Sequence, residues 1–437
     1  MRLRKGKQMK ASKIVVAAAM LTLAASGSAL AFHDGGVATC DGCHTMHNSQ
    51  GGAQMTKNAL AVGTTNAYLL QGSDDSSTCL VCHGKAPAGS GYKVLDPAAA
   101  AGAAPANFTP GGDFGWLKKD YTWTLPRPGS SKGERHGHNV VANDFGLVAD
   151  ATLTTAPGGT YPAANLGCQS CHDPHGKTRI IDAAGTMATS APGTSVLPIG
   201  DSGSYGAMPD ANQAVGVYRL LGGAGYAPKS YATSPFTAAP PIAVAPSTYN
   251  RAETTTDTRV AYGKGMSEWC ANCHQGLHND AYPTNLRHPA GNAALMTNVL
   301  ANYAAYVKSG DLTGTNANAY SSLVPYEEGT ADRAALVLHA KTDGTAKSGP
   351  DATSNVMCLS CHRAHATGWD SMSRWNNKTE FLTVAGDFPG IDAPTQEGKD
   401  YASGRTQAEQ KGSYYNRDKA AFAYAQRSLC NKCHAKD

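Results

Sequence analysis

The chain has 437 residues, with 37 Lys and Arg against 33 Asp and Glu, 48 Gly and 12 Cys. Six of the basic residues lie within the first 31 positions, which contain no acidic residue, so the remainder of the chain is slightly acidic. The basic excess therefore does not indicate a protein that binds nucleic acid or an anionic membrane.

The first 31 residues have the pattern of a secretory signal peptide. A basic segment precedes an apolar run from Ile14 to Ala25, which is short for a membrane span, and Ala29-Leu30-Ala31 offers the small residues of a cleavage site. An uncleaved anchor is the alternative. We therefore expect an exported protein without a transmembrane segment, which could lie in the periplasm, at the cell surface or outside the cell.

All twelve cysteines lie in six C-x-x-C-H motifs, numbered one to six in chain order. The motifs are Cys40/Cys43/His44, Cys79/Cys82/His83, Cys168/Cys171/His172, Cys270/Cys273/His274, Cys358/Cys361/His362 and Cys430/Cys433/His434. Only 15 of the 437 residues are His, so a His directly after every Cys pair is not a chance arrangement.

The sequence C-x-x-C-H is the attachment signature of c-type haem. On one helical turn the two thiols can reach the two vinyl groups of a haem edge, and the adjacent imidazole can bind the iron. Zinc sites do not require a His after each Cys pair, iron–sulfur clusters leave the histidines unexplained, and disulfides within each pair would close very short loops. The motifs therefore predict six covalently attached c-type haems with the motif histidines as proximal iron ligands.

Regular secondary structure is predicted to be sparse between the motifs. Helices are expected over Ala290–Ser309, Thr330–Ala340 and Arg417–His434, and strand signals are few and short. Long stretches of weak periodicity, such as Arg179–Val260, usually count against a compact domain unless buried haems supply the apolar core. We predict mostly irregular coil with a few short α-helices, forming one haem-cored domain over residues 32–437.

Nine histidines lie outside the motifs and could supply the second, distal ligand of each iron. The six strongest candidates are His33, His47, His138, His175, His288 and His365. This supply is sufficient for two histidines on every iron, which would give six low-spin centres. His278 and His339 stay undecided, and His136 is expected to face solvent because it stands beside His138.

Three of these histidines follow a motif in the pattern C-H-x-x-H, namely His47, His175 and His365. The spacing is too short for the second His to reach the opposite face of the same iron, but it suits a neighbouring haem. The alternation of this pattern suggests haems paired one–two, three–four and five–six. By that logic His47 would bind haem two within its own chain.

Several segments resemble the hexahaem outer-surface cytochromes of metal-reducing bacteria, of the OmcS type. They include FHDGGVATCDGCHTMHNS at residues 32–49, TPGGDFGWLKKDYTW at 109–123, GMSEWCANCH, YPTNLRHPAGN, CLSCHRAHA and the terminal LCNKCHAKD. The likeness runs from the mature N-terminus to the last residue with the motif order retained. It is weakest at residues 181–208 and 387–404.

The resemblance implies a filament of identical subunits in which stacked haems run continuously. It also implies that His47 is a distal ligand to haem five of a neighbouring subunit and not to haem two of its own chain. The expected function is extracellular electron transfer to acceptors such as Fe(III) oxides, without catalysis. A monomeric electron shuttle is one alternative, and a multihaem reductase with an open iron is another, although no C-x-x-C-K motif occurs.

Overall fold

The structure is a computed structural model. It describes residues 40–56, 68–84, 93–96, 102–106, 111–174, 179–181, 187–189, 221–228, 234–244, 259–278, 288–340 and 346–434. The predicted signal peptide and two candidate ligands, His33 and His175, lie outside these ranges.

Short helices interrupt an otherwise irregular backbone. In the described ranges the α-helices are Cys40–Cys43, Asp75–His83, Met266–Cys270, Gln275–His278, Leu300–Ala305, Arg333–His339, Cys358–Cys361, Gln396–Asp400 and Gln407–Ser413. Single 3-10 turns include Phe114–Lys118, Cys168–Ser170, Met296–Asn298, Asp370–Met372, Lys419–Ala421 and Leu429–Lys432. Over the part of the chain that the structure describes, every helix is too short to cross a lipid bilayer.

The strands form small antiparallel ribbons of two strands each. The pairs are Ser49–Gln50 with Ala53–Gln54, Tyr121–Trp123 with Gly129–Ser131, Arg179–Ile181 with Met187–Thr189, and Ala243–Val244 with Ala261–Tyr262. This content confirms the predicted fold class of coil with a few short helices and little strand.

One of the three predicted helices forms close to its predicted position. The helix Arg333–His339 begins where the Asp332 carboxylate accepts a hydrogen bond from the backbone N–H of Ala334 at 2.8 Å. An N-terminal Asp satisfies one of the N–H groups that a helix leaves without an internal partner. The local sequence is therefore sufficient to start this helix.

The helix predicted over Ala290–Ser309 is largely wrong, because only Leu300–Ala305 is α-helical. The first part of the segment instead runs beside the chain that enters motif five. Gly291 N–H donates to the Val356 carbonyl at 2.7 Å, and Met296 N–H donates to the Ser354 carbonyl at 2.9 Å. These non-local bonds use the N–H groups that a helix would require.

The helix predicted over Arg417–His434 is also wrong. The segment contains two separate 3-10 turns, Lys419–Ala421 and Leu429–Lys432. Between them Gln426 accepts a backbone hydrogen bond from Leu382 at 2.7 Å, and its side-chain amide donates to the Tyr306 hydroxyl at 2.6 Å. Tertiary hydrogen bonds have replaced the helical ones in this segment.

The motifs lie at the edges of several separate apolar clusters. Cys361 and Cys433 pack against the largest cluster, which includes Trp369, Trp375 and Tyr414. A second cluster has at its edge Cys171, Cys270 and Cys273. A group attached to these cysteines would therefore lie against apolar protein, as a porphyrin requires.

Candidate haem sites

Each motif begins as a tight helical turn. In four motifs the backbone N–H of the His donates to the carbonyl of the first Cys, which closes the turn. These bonds are His172 to Cys168 at 2.9 Å, and His274 to Cys270, His362 to Cys358 and His434 to Cys430, each at 3.0 Å. Motifs one and two lie on the helices Cys40–Cys43 and Asp75–His83. The two thiols and the imidazole of a motif thus come from one turn of backbone.

The cysteines whose side chains the structure describes form no disulfide with one another. They are Cys43, Cys79, Cys82, Cys168, Cys171, Cys270, Cys273, Cys358, Cys361, Cys430 and Cys433. Nor do any three His, Cys, Asp or Glu side chains converge on a common point in the described residues in a way that could hold a metal ion. The disulfide, zinc and iron–sulfur alternatives thus find no support there, whereas haem needs only two protein ligands for each iron.

Three motif histidines are oriented by backbone carbonyls. The Nδ1 atoms lie at 2.9 Å from the Tyr68 carbonyl for His44, at 2.8 Å from that of Pro157 for His274, and at 2.7 Å from that of Ser371 for His362. A carbonyl accepts, so Nδ1 carries the proton and Nε2 keeps its lone pair. This tautomer is the one that binds a metal through Nε2.

His138 lies opposite the motif-four histidine. The ring centroids of His138 and His274 are 6.0 Å apart, and His138 Nδ1 is 2.7 Å from the Ala364 carbonyl. Burial, helped by the nearby His274, lowers the pKa of His138 to about 4, so its imidazole is neutral. Two metal–nitrogen bonds of about 2 Å each would separate the nitrogens by about 4 Å, which fits this centroid distance once the ring radii are added.

His288 is related in the same way to the motif-six histidine. The centroids of His288 and His434 are 5.9 Å apart, with the rings nearly perpendicular, and His288 Nδ1 is 2.9 Å from the Pro289 carbonyl. Both pairs unite residues that are more than 130 positions apart in the chain. The geometry suits two imidazoles on opposite faces of one haem.

His365 lies beside motif two, although it follows motif five in sequence. Its ring lies 4.7 Å from that of Phe114 between centroids, with the planes tilted by 31°, and its Nδ1 is 3.3 Å from the Gly112 carbonyl. Phe114 N–H bonds to the Val94 carbonyl, and Val94 N–H bonds to the His83 carbonyl of motif two. This placement favours haem two as the partner of His365, whereas the pairing pattern predicted haem six.

His136 is not solvent-facing, contrary to the sequence-based expectation. It is completely buried, with Nδ1 at 3.0 Å from the Trp116 carbonyl and Nε2 at 2.7 Å from the Ser131 hydroxyl. Burial lowers its pKa to about 4. Both ring nitrogens are already used, so His136 has no lone pair for iron. No feature of the sequence indicated this burial.

The two undecided histidines each face a carboxylate. His339 Nδ1 is 2.8 Å from Glu328 Oε2, and His278 Nε2 is 3.5 Å from Glu268 Oε1. Neither ring stands opposite a motif histidine within the described residues. Their surroundings therefore favour contacts with these carboxylates over iron ligation.

His47 is exposed between motif one and the short ribbon that begins at Ser49. Its Nδ1 is 3.5 Å from the Ser49 hydroxyl, and the adjacent Met46 side chain is 80% exposed. His362, the motif-five histidine, has no histidine ring opposite it in the described part of its own chain. An exposed imidazole and an unpaired motif are thus present in one molecule.

The thiols of successive motifs are neighbours, and they form an unbroken series along the chain. The neighbouring thiols are Cys43 and Cys79, Cys79 and Cys168, Cys171 and Cys273, Cys270 and Cys358, and Cys361 with Cys430 and Cys433. A hydrogen bond to Cys168 and burial raise the pKa of Cys79, and burial raises that of Cys171 to about 12. Haems attached at these positions would follow one another in sequence order.

Comparison with known proteins shows the family of the chain, although no family model matches it. It is 56% identical to the C-type cytochrome OmcS of Geobacter sulfurreducens over 440 aligned positions, which cover 99% of this chain and 100% of that protein. Two solved structures are similar to this chain, a cryo-EM structure of the OmcS nanowires (TM-score 0.82) and a structure of the Outer Membrane Cytochrome S filament (TM-score 0.81), both from that organism. In each comparison the sequences are 56% identical, and the match covers 93% of this chain and 100% of the solved chain. The chain belongs to the OmcS family of multihaem c-type cytochromes.

Proposed function

We propose that this protein carries electrons outside the cell through six haems, and that its copies polymerise into a conducting filament. The observation that carries the proposal is the unbroken series of neighbouring thiols through all six motifs. Electron transfer weakens steeply with distance, so closely spaced attachment points in sequence order suit a path from one end of the chain to the other. Residues 32–437 would form the single domain that holds this path.

The haems supply a one-electron iron couple when bound. Each C-x-x-C pair would hold one of them by two thioether bonds, and two histidines on each iron would leave no position for a substrate. Two imidazole ligands also favour a low potential compared with a Met ligand. An electron carrier follows from this coordination, whereas a reductase would need at least one open iron.

The ring geometry supports a specific set of distal ligands. His138 would bind haem four opposite His274, and His288 would bind haem six opposite His434. His365 would bind haem two, because it lies beside motif two. If His47 binds a haem of the neighbouring subunit, His33 and His175 remain for haems one and three.

His47 would link one subunit to the next. Its ring is exposed, and the motif-five histidine lacks an opposite ring in the described residues, so a bond from His47 to haem five of a neighbouring subunit would satisfy both. The resemblance to OmcS implies the same bond, and the similar solved structures are filaments. The external acceptors would be Fe(III) oxides or other extracellular redox partners.

Electron microscopy of the purified holoprotein tests this proposal. The wild type is compared with His47→Ala and with His278→Ala, in which a histidine outside the proposed ligand set is removed. We expect filaments and fully low-spin visible spectra for the wild type and for His278→Ala. His47→Ala should lose the filaments, with one of six haems changing to the high-spin form.

Three other outcomes would each redirect the proposal. Monodisperse wild-type particles with six low-spin haems would leave a monomeric electron shuttle. Filaments in His47→Ala would show that another contact joins the subunits. A high-spin haem in the wild type, together with turnover of a small oxidised substrate, would favour the reductase alternative.

A further inference from the structure

Two buried serines occupy equivalent positions in the molecule. Ser76 stands three residues before the first Cys of motif two, and Ser267 stands three residues before the first Cys of motif four. Each is the second residue of the helix that carries its motif. Their side chains are 2% and 0% exposed.

Each serine hydroxyl reaches the next motif along the chain. Ser76 Oγ accepts a hydrogen bond from the backbone N–H of Cys168 in motif three at 3.0 Å. Ser267 Oγ accepts one from the backbone N–H of Cys358 in motif five, also at 3.0 Å. These N–H groups begin a helical turn and have no partner inside it, so the hydroxyl of the preceding motif satisfies them.

The same two junctions bring the first cysteines together. Cys79 lies beside Cys168 and Cys270 lies beside Cys358, close enough for the two thiols of each pair to shift one another's pKa. At the first junction Gly167 makes room for the serine, because a Cβ atom there would lie 2.8 Å from Ser76 Oγ. One hydrogen bond therefore sets the separation of two backbone points from which haem tethers start.

The arrangement is specific to these two junctions. The residues three positions before the first Cys of motifs three, five and six are Asn165, Asn355 and Arg427. Asn355 instead bonds to Glu327 and Gly291, and the Arg427 guanidinium bonds to Glu380. A serine bridge between motifs thus recurs only where motif two meets three and motif four meets five, among the motifs that the structure describes.

We propose that Ser76 and Ser267 are positioning residues for electron transfer between haems two and three and between haems four and five. This inference rests on the proposed function. When one electron passes across a junction, the iron that it leaves is oxidised and the iron that it reaches is reduced. No bond or proton needs to change, so the rate depends on separation and orientation, and each hydroxyl fixes both at the point of attachment.

The test compares Ser267→Ala with two further variants of the holoprotein. Ser267→Thr retains the hydroxyl, and Ser360→Ala removes a buried hydroxyl of motif five that bonds within its own turn, to Met357 N–H at 3.2 Å. The readouts are the magnetic coupling between haems four and five by electron paramagnetic resonance, the midpoint potentials, and the conductance of single filaments.

Ser267→Ala should lose the coupling and lower the conductance, with haem content and low-spin spectra unchanged. Ser267→Thr should restore both, and Ser360→Ala should affect neither. Unchanged coupling in Ser267→Ala, or an equal loss in Ser360→Ala, would overturn the inference. Because the coupling is measured on soluble holoprotein, it decides the role of Ser267 even if the wild type forms no filaments. Ser76→Ala repeats the test at the other junction if Ser267→Ala does not fold.

Discussion

The region of motifs two and three and the region of motifs four and five share two internal hydrogen bonds but differ in how the helix of the first motif is capped. In both, a serine before the first motif binds the N–H of the second, and a serine inside the second motif closes its turn. That inner serine is Ser170, bonded to Gly167 N–H at 2.9 Å, in one region and Ser360 in the other. The helix that carries the first motif, however, is capped in two different ways.

The motif-two helix is capped by the residue directly before it, and the motif-four helix is capped by a residue about 60 positions away in sequence. Asp74 accepts from Ser77 N–H at 2.7 Å, one turn into the helix. Gly265 stands at the corresponding position before Met266 and has no side chain to offer. Glu327 instead accepts from Gly265 and Met266 N–H at 3.2 and 2.8 Å, and it also accepts from the Asn355 side chain.

The difference shows that the same kind of helix start can be capped by a carboxylate adjacent in sequence or by one distant in sequence, with different degrees of burial of the carboxylate. Asp74 is half-buried, whereas Glu327 is fully buried. Burial raises the pKa of Glu327 to about 7, so the support of motif four depends on pH near neutrality. The four predictions below test this contrast.

The largest effect is expected for Glu327→Ala. The change leaves three buried donors without an acceptor, each of which costs about 1–3 kcal/mol, so the free energy of unfolding should fall by more than about 3 kcal/mol. Chemical denaturation of the holoprotein, followed by circular dichroism in the haem Soret band, measures the loss. Glu327→Gln keeps one acceptor oxygen and serves as the control. A loss no larger than that of Asp74→Ala would remove the contrast between the regions.

The second effect is a pH dependence of stability near neutrality, which the motif-four region contributes through Glu327. In the unfolded chain Glu327 ionises near its ordinary pKa of 4.5, and in the folded protein near 7. Between these values the folded state holds a proton that the unfolded state has released, so stability falls as pH rises. One pKa unit corresponds to about 1.4 kcal/mol, which sets a change on the order of 3 kcal/mol.

Comparison of the wild type with Glu327→Gln at about pH 4 and about pH 8 isolates this contribution. The wild type should lose stability relative to the Gln variant as the pH rises. Parallel curves for the two proteins would mean that Glu327 ionises alike in the folded and unfolded states.

A smaller effect is expected for Asp74→Ala. Removal of an N-terminal capping side chain costs about 1–2 kcal/mol, and the Asn143 N–H, which bonds to Asp74 Oδ2 at 2.8 Å, also loses its acceptor. Asp74→Asn retains an oxygen at the cap and should recover most of the stability. The measurement is the same denaturation, and an unchanged midpoint in Asp74→Ala would show that the cap is dispensable.

The smallest effect is expected for Ser360→Ala, which removes one hydrogen bond, that from Met357 N–H, and should lower the free energy of unfolding by about 1 kcal/mol. Ser170→Ala should cost more, because Ser170 Oγ bonds to Gly167 N–H and also to the Tyr161 hydroxyl at 2.6 Å and the Asn165 carbonyl at 3.3 Å. Equal losses in matched denaturation curves would show that the two additional bonds of Ser170 contribute nothing to stability.

Local chemistry explains what could be predicted from sequence. A C-x-x-C-H motif closes its own turn, so the attachment points and proximal histidines follow from five residues each. Asp332 starts the helix Arg333–His339 in the same local way. The sequence also contained a signal that was missed: Thr406 and Glu409 form a reciprocal capping box at the start of the helix Gln407–Ser413.

The tertiary structure decided everything that depends on residues far apart. The ring of His138 faces that of His274 across 136 positions, and His136 is buried because Trp116 and Ser131 surround it. The segment from Gly291 lost its predicted helix to hydrogen bonds with the chain before motif five. The sequence by itself determined the positions of the C-x-x-C-H turns, because each turn is local, and only the fold decided which histidine ring faces which motif histidine, because that choice joins distant parts of the chain.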